Sequence, residues 1–194
     1  MDEDRRVRRT RELLQKALLE LLQSRDYDLV TIQDVTDRAG VGRTTFYLHY
    51  RSKEDLYHHA HRAEVARIAG PPLTRAELLA EDPPERMVAV YAHHWATLDQ
   101  LRMVYFGKDS DVIFRQQRDD SAQHIAVHLQ VTFSGLRFKV PVDVVATVLA
   151  VSEIDLMMWW IEKHIVYTPE QMAAYFHRIR RGVLQESLLL SAGA

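Results

Sequence analysis

Helix punctuation recurs along the whole chain with no competing strand pattern, and this restricts the fold more than any other feature. Thr31-Ile32-Gln33-Asp34, Ser52-Lys53-Glu54-Asp55 and Thr168-Pro169-Glu170-Gln171 each set a hydroxyl three residues ahead of a carboxylate or carboxamide. That is the spacing of a capping box, in which the two side chains satisfy backbone donors reciprocally. The third adds proline at the first helical position, where its missing N–H costs nothing. Only seven glycines occur in 194 residues, and no window alternates apolar and polar residues with β-branched enrichment. The chain therefore reads as all-α, with about nine helices.

Leu14, Leu18, Leu21 and Leu22 line one face of a first helix spanning 8–24. A short helix starts at Thr31, turns Ile32, Val35 and Ala39 inward and stops at Gly40; a second short helix covers 42–48. Ser52 opens a long helix to Ala69, which Gly70-Pro71-Pro72 ends because proline lacks a donor and constrains the residue before it. Residues 70–84 read as a connector. Asp82-Pro83-Pro84-Glu85 starts a helix with proline in its first turn, carrying Met87, Val90, Tyr91, His94, Trp95 and Leu98. Segments 100–107 and 110–133 read as helical, followed by a long helix from Pro141 to His164 and a last one from Thr168 bearing Met172, Phe176, Ile179 and Val183. The expected division is a compact helical head at 1–51 and a helical body at 52–194.

Composition removes several function classes. No cysteine is present, so disulfide scaffolds, thiolate metal sites and cysteine nucleophiles are excluded. The N-terminus lacks an apolar leader, and the longest uncharged apolar stretch, 144–152, falls short of the roughly 20 residues a membrane span needs. These features lead us to expect a soluble, cytoplasmic protein without membrane partners. His58, His59 and His61 are clustered, and His124 and His128 share a helix face, but no Glu-x-x-His occurs. No Gly-rich phosphate loop, HExxH or Gly-x-Ser-x-Gly is found either. We expect neither enzyme activity, nor a cofactor, nor a metal. Net charge is −2, yet residues 5–51 hold ten Arg and Lys against six Asp and Glu. A basic quarter on a mildly acidic body fits a charged ligand for that quarter alone, or a solvated helix.

Within 31–56, two short helices flank a turn containing Gly40, the outline of a helix-turn-helix. Val41 is placed to plug the angle between them, and Phe46 faces the same core as Ile32 and Val35. Arg43, Thr44, Thr45, Tyr47 and His49 remain outward. These are hydrogen-bonding side chains that reach base edges and phosphates, with no acid among them. The string from Ala39 to Leu56, AGVGRTTFYLHYRSKEDL, resembles the DNA-binding signature of the tetracycline-repressor-like (TetR) family over residues 10–57. It departs from that signature at Gly42, where Ser or Thr is common, and at Tyr50, where Phe is common. The resemblance implies a base contact for Arg43, base or phosphate contacts for Thr44 and Thr45, and phosphate contacts for Tyr47, His49 and Lys53. Thr31 and Gln33 would hold the other backbone strand, although capping alone also accounts for Thr31. The basic run Arg5-Arg6-Val7-Arg8-Arg9-Thr10-Arg11 reads either as an arm for a minor groove or as a tail without fixed contacts.

The 141–164 helix is apolar on more than one side, so it must be buried twice, once on its own subunit and once on a symmetry mate. Val148, Trp159 and Trp160, with Phe176, Ile179 and Val183 from the last helix, are the expected homodimer interface. The middle segment gathers Tyr91, His93, His94, Trp95, Met103, Tyr105, Phe106, Phe114, His124, His128 and Phe133. Such a mixture suits either a small-molecule cavity or an ordinary core. Tyr91, His94, Trp95 and His128 are the expected lining. The resemblance implies a ligand-responsive regulator, a repressor binding a palindromic double-stranded operator as a dimer and released by a small-molecule effector. The competing class is a helical-bundle protein that binds a small molecule or a partner without reading DNA.

Overall fold

The computed structural model describes residues 2–105, 110–163 and 166–189, and these divide into two compact units, 1–67 and 68–194. The division falls inside a helix rather than at 51/52, because Leu56, Tyr57 and Ala60, expected in the second domain, are buried with the first unit's core.

The first unit contains α1 (Asp2–Leu22), a 3-10 turn (Tyr27–Leu29), α2 (Ile32–Ala39), α3 (Arg43–His49) and α4 (Lys53–Ala69), which runs across the division. Leu14, Leu18, Val30, Val35, Phe46, Tyr50 and Leu56 form its core, each at most 2% exposed. Thr31 caps α2 as expected: its hydroxyl accepts from the Asp34 N–H while the Asp34 carboxylate accepts from the Thr31 N–H. These bonds, with Arg25 behind them, hold the Asp34 carboxyl below its ordinary value. Ser52 completes only half a box. Its hydroxyl accepts from the Asp55 N–H, but the Asp55 carboxylate turns to the Arg51 N–H at 2.9 Å. The run at 5–11 lies within α1, which is helical from Asp2.

The second unit holds α5 (Arg75–Leu79), α6 (Glu85–Ala96), α7 (Leu98–Tyr105), α8 (Ser110–Thr132), α9 (Val142–Lys163) and α10 (Pro169–Ser187). Ten α-helices are thus present among the described residues rather than nine; α5, with its own Thr74–Glu77 capping box, lies inside the expected connector. Two-residue strands, β1 (Arg137–Phe138) and β2 (Leu188–Leu189), pair antiparallel, a pairing too short for any sequence pattern to announce. Helix α6 starts at Glu85 with Pro84 as its N-cap, so neither proline lies in its first turn as the sequence led us to expect.

Helix α9 is long and apolar enough to cross a membrane by length and composition, but half of its apolar window is buried inside the unit. It packs along α8 and α10 as a core helix. Two clusters fill the interior: Leu78, Leu129, Phe133, Val145, Leu149, Leu184 and Leu188 in one, and Met87, Tyr91, Trp160, Met172, Ala173 and Phe176 in the other. The α9 C-terminus is capped by Arg102, which donates to the Ile161 carbonyl at 3.1 and 2.9 Å. A cation there satisfies orphan carbonyls and complements the helix dipole. At the chain's entry into this unit, Arg86 pairs with both Glu77 oxygens at 2.7 Å and donates to the Ala69 and Pro71 carbonyls. The Thr74 cap bonds and then Arg86 bring the Glu77 carboxyl down to about 2.

Candidate nucleic-acid interface

The turn between α2 and α3 follows from one backbone conformation. Gly40 adopts φ 67°, ψ 33°, the left-handed region, and ends α2 with the Val41 N–H bonded to the Thr36 carbonyl at 3.0 Å. This is a Schellman closure, which satisfies carbonyls that a helix end would otherwise leave open. Val41 is half-buried in the angle. Phe46, 0% exposed, anchors the inner side of α3. Its ring packs edge-on against Tyr47 at 5.3 Å and tilted against Tyr50 at 6.0 Å.

Outward lie Arg43, Thr44 and Tyr47, all exposed, with Thr45 and His49 half-buried at the flanks. Among the described residues Arg43 makes no ion pair. Leu48, which was not among the expected site residues, is 76% exposed on the same rod. Its position four residues after Thr44 was the available signal, since residues so spaced share a helix face. Burial, then the Arg11 charge, lowers the His49 imidazole, which favours its neutral form.

Two expected contacts prove to be engaged locally. Gln33 donates to Asp37 Oδ1 at 2.7 Å. Lys53 sits with Nζ 4.0 Å from the centroid of the Tyr27 ring and donates to the Tyr27 and Val30 carbonyls at 2.7 and 2.8 Å. Two of its three N–H groups are therefore occupied by the loop ahead of α2, leaving at most one for a phosphate.

In the second unit, three of the four expected lining residues lie around Trp160. Tyr91 and Trp160 have centroids 6.1 Å apart, Trp95 stacks on Trp160 at 5.0 Å, and His94 stands 6.3 Å from Tyr91. Burial, then His93, pushes the His94 imidazole down to about 3. His128 belongs elsewhere: its Nε2 bonds the Leu73 carbonyl at 2.7 Å, and it borders a groove of about 760 Å³ with Leu73, Val127 and Val131. The side chains of Met103 and Tyr105, and Phe106 altogether, lie outside the described residues, as does His164. Among the described residues no three His, Asp or Glu side chains converge as a metal site requires.

Beside the Trp160 cluster lies a group of polar side chains that sequence periodicity did not single out. Arg180 donates to His177 Nδ1 at 2.8 Å, so that nitrogen is the acceptor and Nε2–H donates to the Ala80 carbonyl at 2.9 Å. Among the described residues, Arg180 Nε and the Tyr91 hydroxyl are buried without hydrogen-bond partners. Burial raises the Glu153 carboxyl, and Arg180 opposes that rise without forming an ion pair with it.

The expected dimer residues separate by side. Trp160 and Phe176, 0% and 1% exposed, are enclosed in their own subunit's core and cannot form an interface. Val183 packs half-buried on the other cluster. Val148, Trp159 and Ile179 are 44%, 40% and 47% exposed, and Val144 and Tyr175 join them on the outer faces of α9 and α10.

A capped helix, a left-handed glycine and a second helix with an acid-free outer face define a helix-turn-helix protein. Residues 14–60 match the family described as bacterial regulatory proteins, tetR family. That match covers the head alone, about a quarter of the chain. Over 54 residues it is 54% identical to the uncharacterized HTH-type transcriptional regulator YxbF of Bacillus subtilis (strain 168), a stretch covering 27% of this chain and 14% of that protein. Its fold is shared with the TetR family repressor AlkX from Dietzia sp., at TM-score 0.63 and 17% identity, covering 91% of this chain and 96% of that one. The Thermus thermophilus transcriptional repressor FadR, solved in complex with lauroyl-CoA, matches at TM-score 0.54 and 21% identity, covering 95% and 98%.

Proposed function

We propose that the chain is a ligand-responsive transcriptional repressor that binds a palindromic operator as a homodimer and is released by a small-molecule effector. The observation that carries this reading is the outer face of α3, where Arg43, Thr44, Tyr47 and Leu48 are exposed over a core-anchored Phe46. A guanidinium of that reach reads guanine edges, hydroxyls bond bases or phosphates, and an aliphatic tip meets the thymine methyl group. The exposed apolar stripes of α9 and α10 supply the dimer seam, and a two-fold dimer sets two α3 rods about one turn of DNA apart, ~34–36 Å.

For the effector, the favoured region is the interior around Trp160, where Tyr91 and Arg180 offer donors without a partner among the described residues, beside Glu153 and aromatic surface. Apolar walls with a few convergent polar groups are what such ligands require. The FadR relative, with lauroyl-CoA bound, supports the use of this fold for a ligand. Operator and effector each stabilise a different head spacing, so each weakens the other's binding by the same factor.

The test is selection of full-length protein on a pool of random duplexes. The expected result is an enriched inverted repeat whose half-sites are separated by about one helical turn. Recovery of no shared motif, or of a motif unaffected by changing Arg43, would overturn the reading.

A further inference from the structure

Because α1 is helical from Asp2, its arginines hold fixed directions within the three turns ahead of Leu14, the first buried residue among those described. One contact sets those directions relative to α3. Gln15 Nε2 donates to the Tyr50 hydroxyl at 2.9 Å, and Tyr50 is the C-cap of α3. With 3.6 residues per turn, Arg11 and Arg8 stand one and two turns from Gln15 on the same stripe, whereas Arg6 and Arg9 point to the other side. The influence of Arg11 on the imidazole of His49, the last residue of α3, agrees with this placement. Arg11 is exposed and, among the described residues, makes no ion pair. Arg8 has only an exposed contact of 3.7 Å to Glu12. Asp4 lies on the same stripe and marks its end.

We propose that Arg8 and Arg11 continue the duplex contact of α3 along the sugar-phosphate backbone, so that the N-terminal half of α1 is a second DNA-binding element. This rests on the reading of α3 as a DNA contact. Charge complementarity and continuity with α3 both select a phosphate backbone as the occupant. Guanidinium forks suit phosphate oxygens, and arginines already held on a helix lose less freedom on binding than those of a loose arm. The contact positions the head without specifying sequence.

Fluorescence anisotropy on a mixed-sequence duplex of about 30 base pairs, titrated with the full chain at salt from about 50 to 200 mM, tests the proposal. The Arg8→Gln/Arg11→Gln pair is expected to reduce the slope of log K against log salt by about 0.9 for each phosphate no longer neutralised, roughly 2 per bound head. The Arg6→Gln/Arg9→Gln pair, on the opposite side, is expected to keep the wild-type slope. A wild-type slope in the first pair, or equal reductions in both, overturns the proposal. Absence of duplex binding by the wild type at any salt removes the reading of α3 itself, so the two failures are distinguishable.

Discussion

Replacing Gly40 by alanine isolates the backbone conformation on which the α2–α3 turn depends. At φ 67°, ψ 33° an L-residue is destabilised by about 1–2 kcal/mol through the approach of its Cβ to the following carbonyl. No heavy atom lies within 4 Å of an added Cβ there, so no collision with a neighbour adds to that figure. The smaller entropy of an alanine-containing unfolded chain offsets about 0.4–1 kcal/mol. The net loss is about 1 kcal/mol, which in a chain of this length lowers the midpoint of thermal unfolding by about 2–4 °C. Gly42 is the internal control two residues on: its φ is −81°, its Cβ position is open, and it caps α3 with no side-chain bond. Gly42→Ser gains a cap and lowers the entropy of the unfolded chain, so it is expected to raise the midpoint by a similar amount. Scanning calorimetry on both full-length variants is the assay. A neutral Gly40→Ala, or a Gly42→Ser that destabilises equally, would refute the assignment of strain to Gly40 alone.

Three further outcomes are expected. Arg43→Ala should cost about 1–3 kcal/mol on the selected operator and relax base preference at one position; an equal loss on unrelated duplexes would show that Arg43 positions rather than specifies. Trp159→Asp should weaken dimerisation at least about tenfold in sedimentation equilibrium, and unchanged dimers would take α9 out of the interface. For His94, the unfolded chain takes up a proton below its ordinary 6.5 while the folded chain resists to about 3. Stability should therefore fall as pH drops through that window, by at most about 1.4 kcal/mol per pH unit, and His94→Gln should flatten the slope. An unaltered slope in denaturant titrations would remove His94 as the cause.

The head was legible where its structure is local. The Thr31–Asp34 box, the Gly40 stop and the inward Phe46 each depend on residues within a few positions, and each stands where its sequence spacing put it. Partners distant in sequence were not legible. Lys53 reads as a helix-start cation until the carbonyls of Tyr27 and Val30 fold back onto it. Helix α9 shows the same limit in the second unit. Apolar residues all round a helix reveal that it is doubly covered but not which side meets its own core. Adjacent Trp159 and Trp160 consequently separate, one to the surface and one to the interior. His128 was grouped with Tyr91 by chemistry, whereas the bond to the Leu73 carbonyl draws it to another wall. The polar group of Tyr91, Glu153 and Arg180 comes from three helices, and no spacing within one segment announces it.

Amide hydrogen exchange on the full-length protein, with and without its selected duplex, tests the central claim most directly. The account predicts that protection on binding centres on residues 42–49, with the start of α2 beside them. Protection confined to the second unit, or none along α3 at saturating duplex, would contradict it.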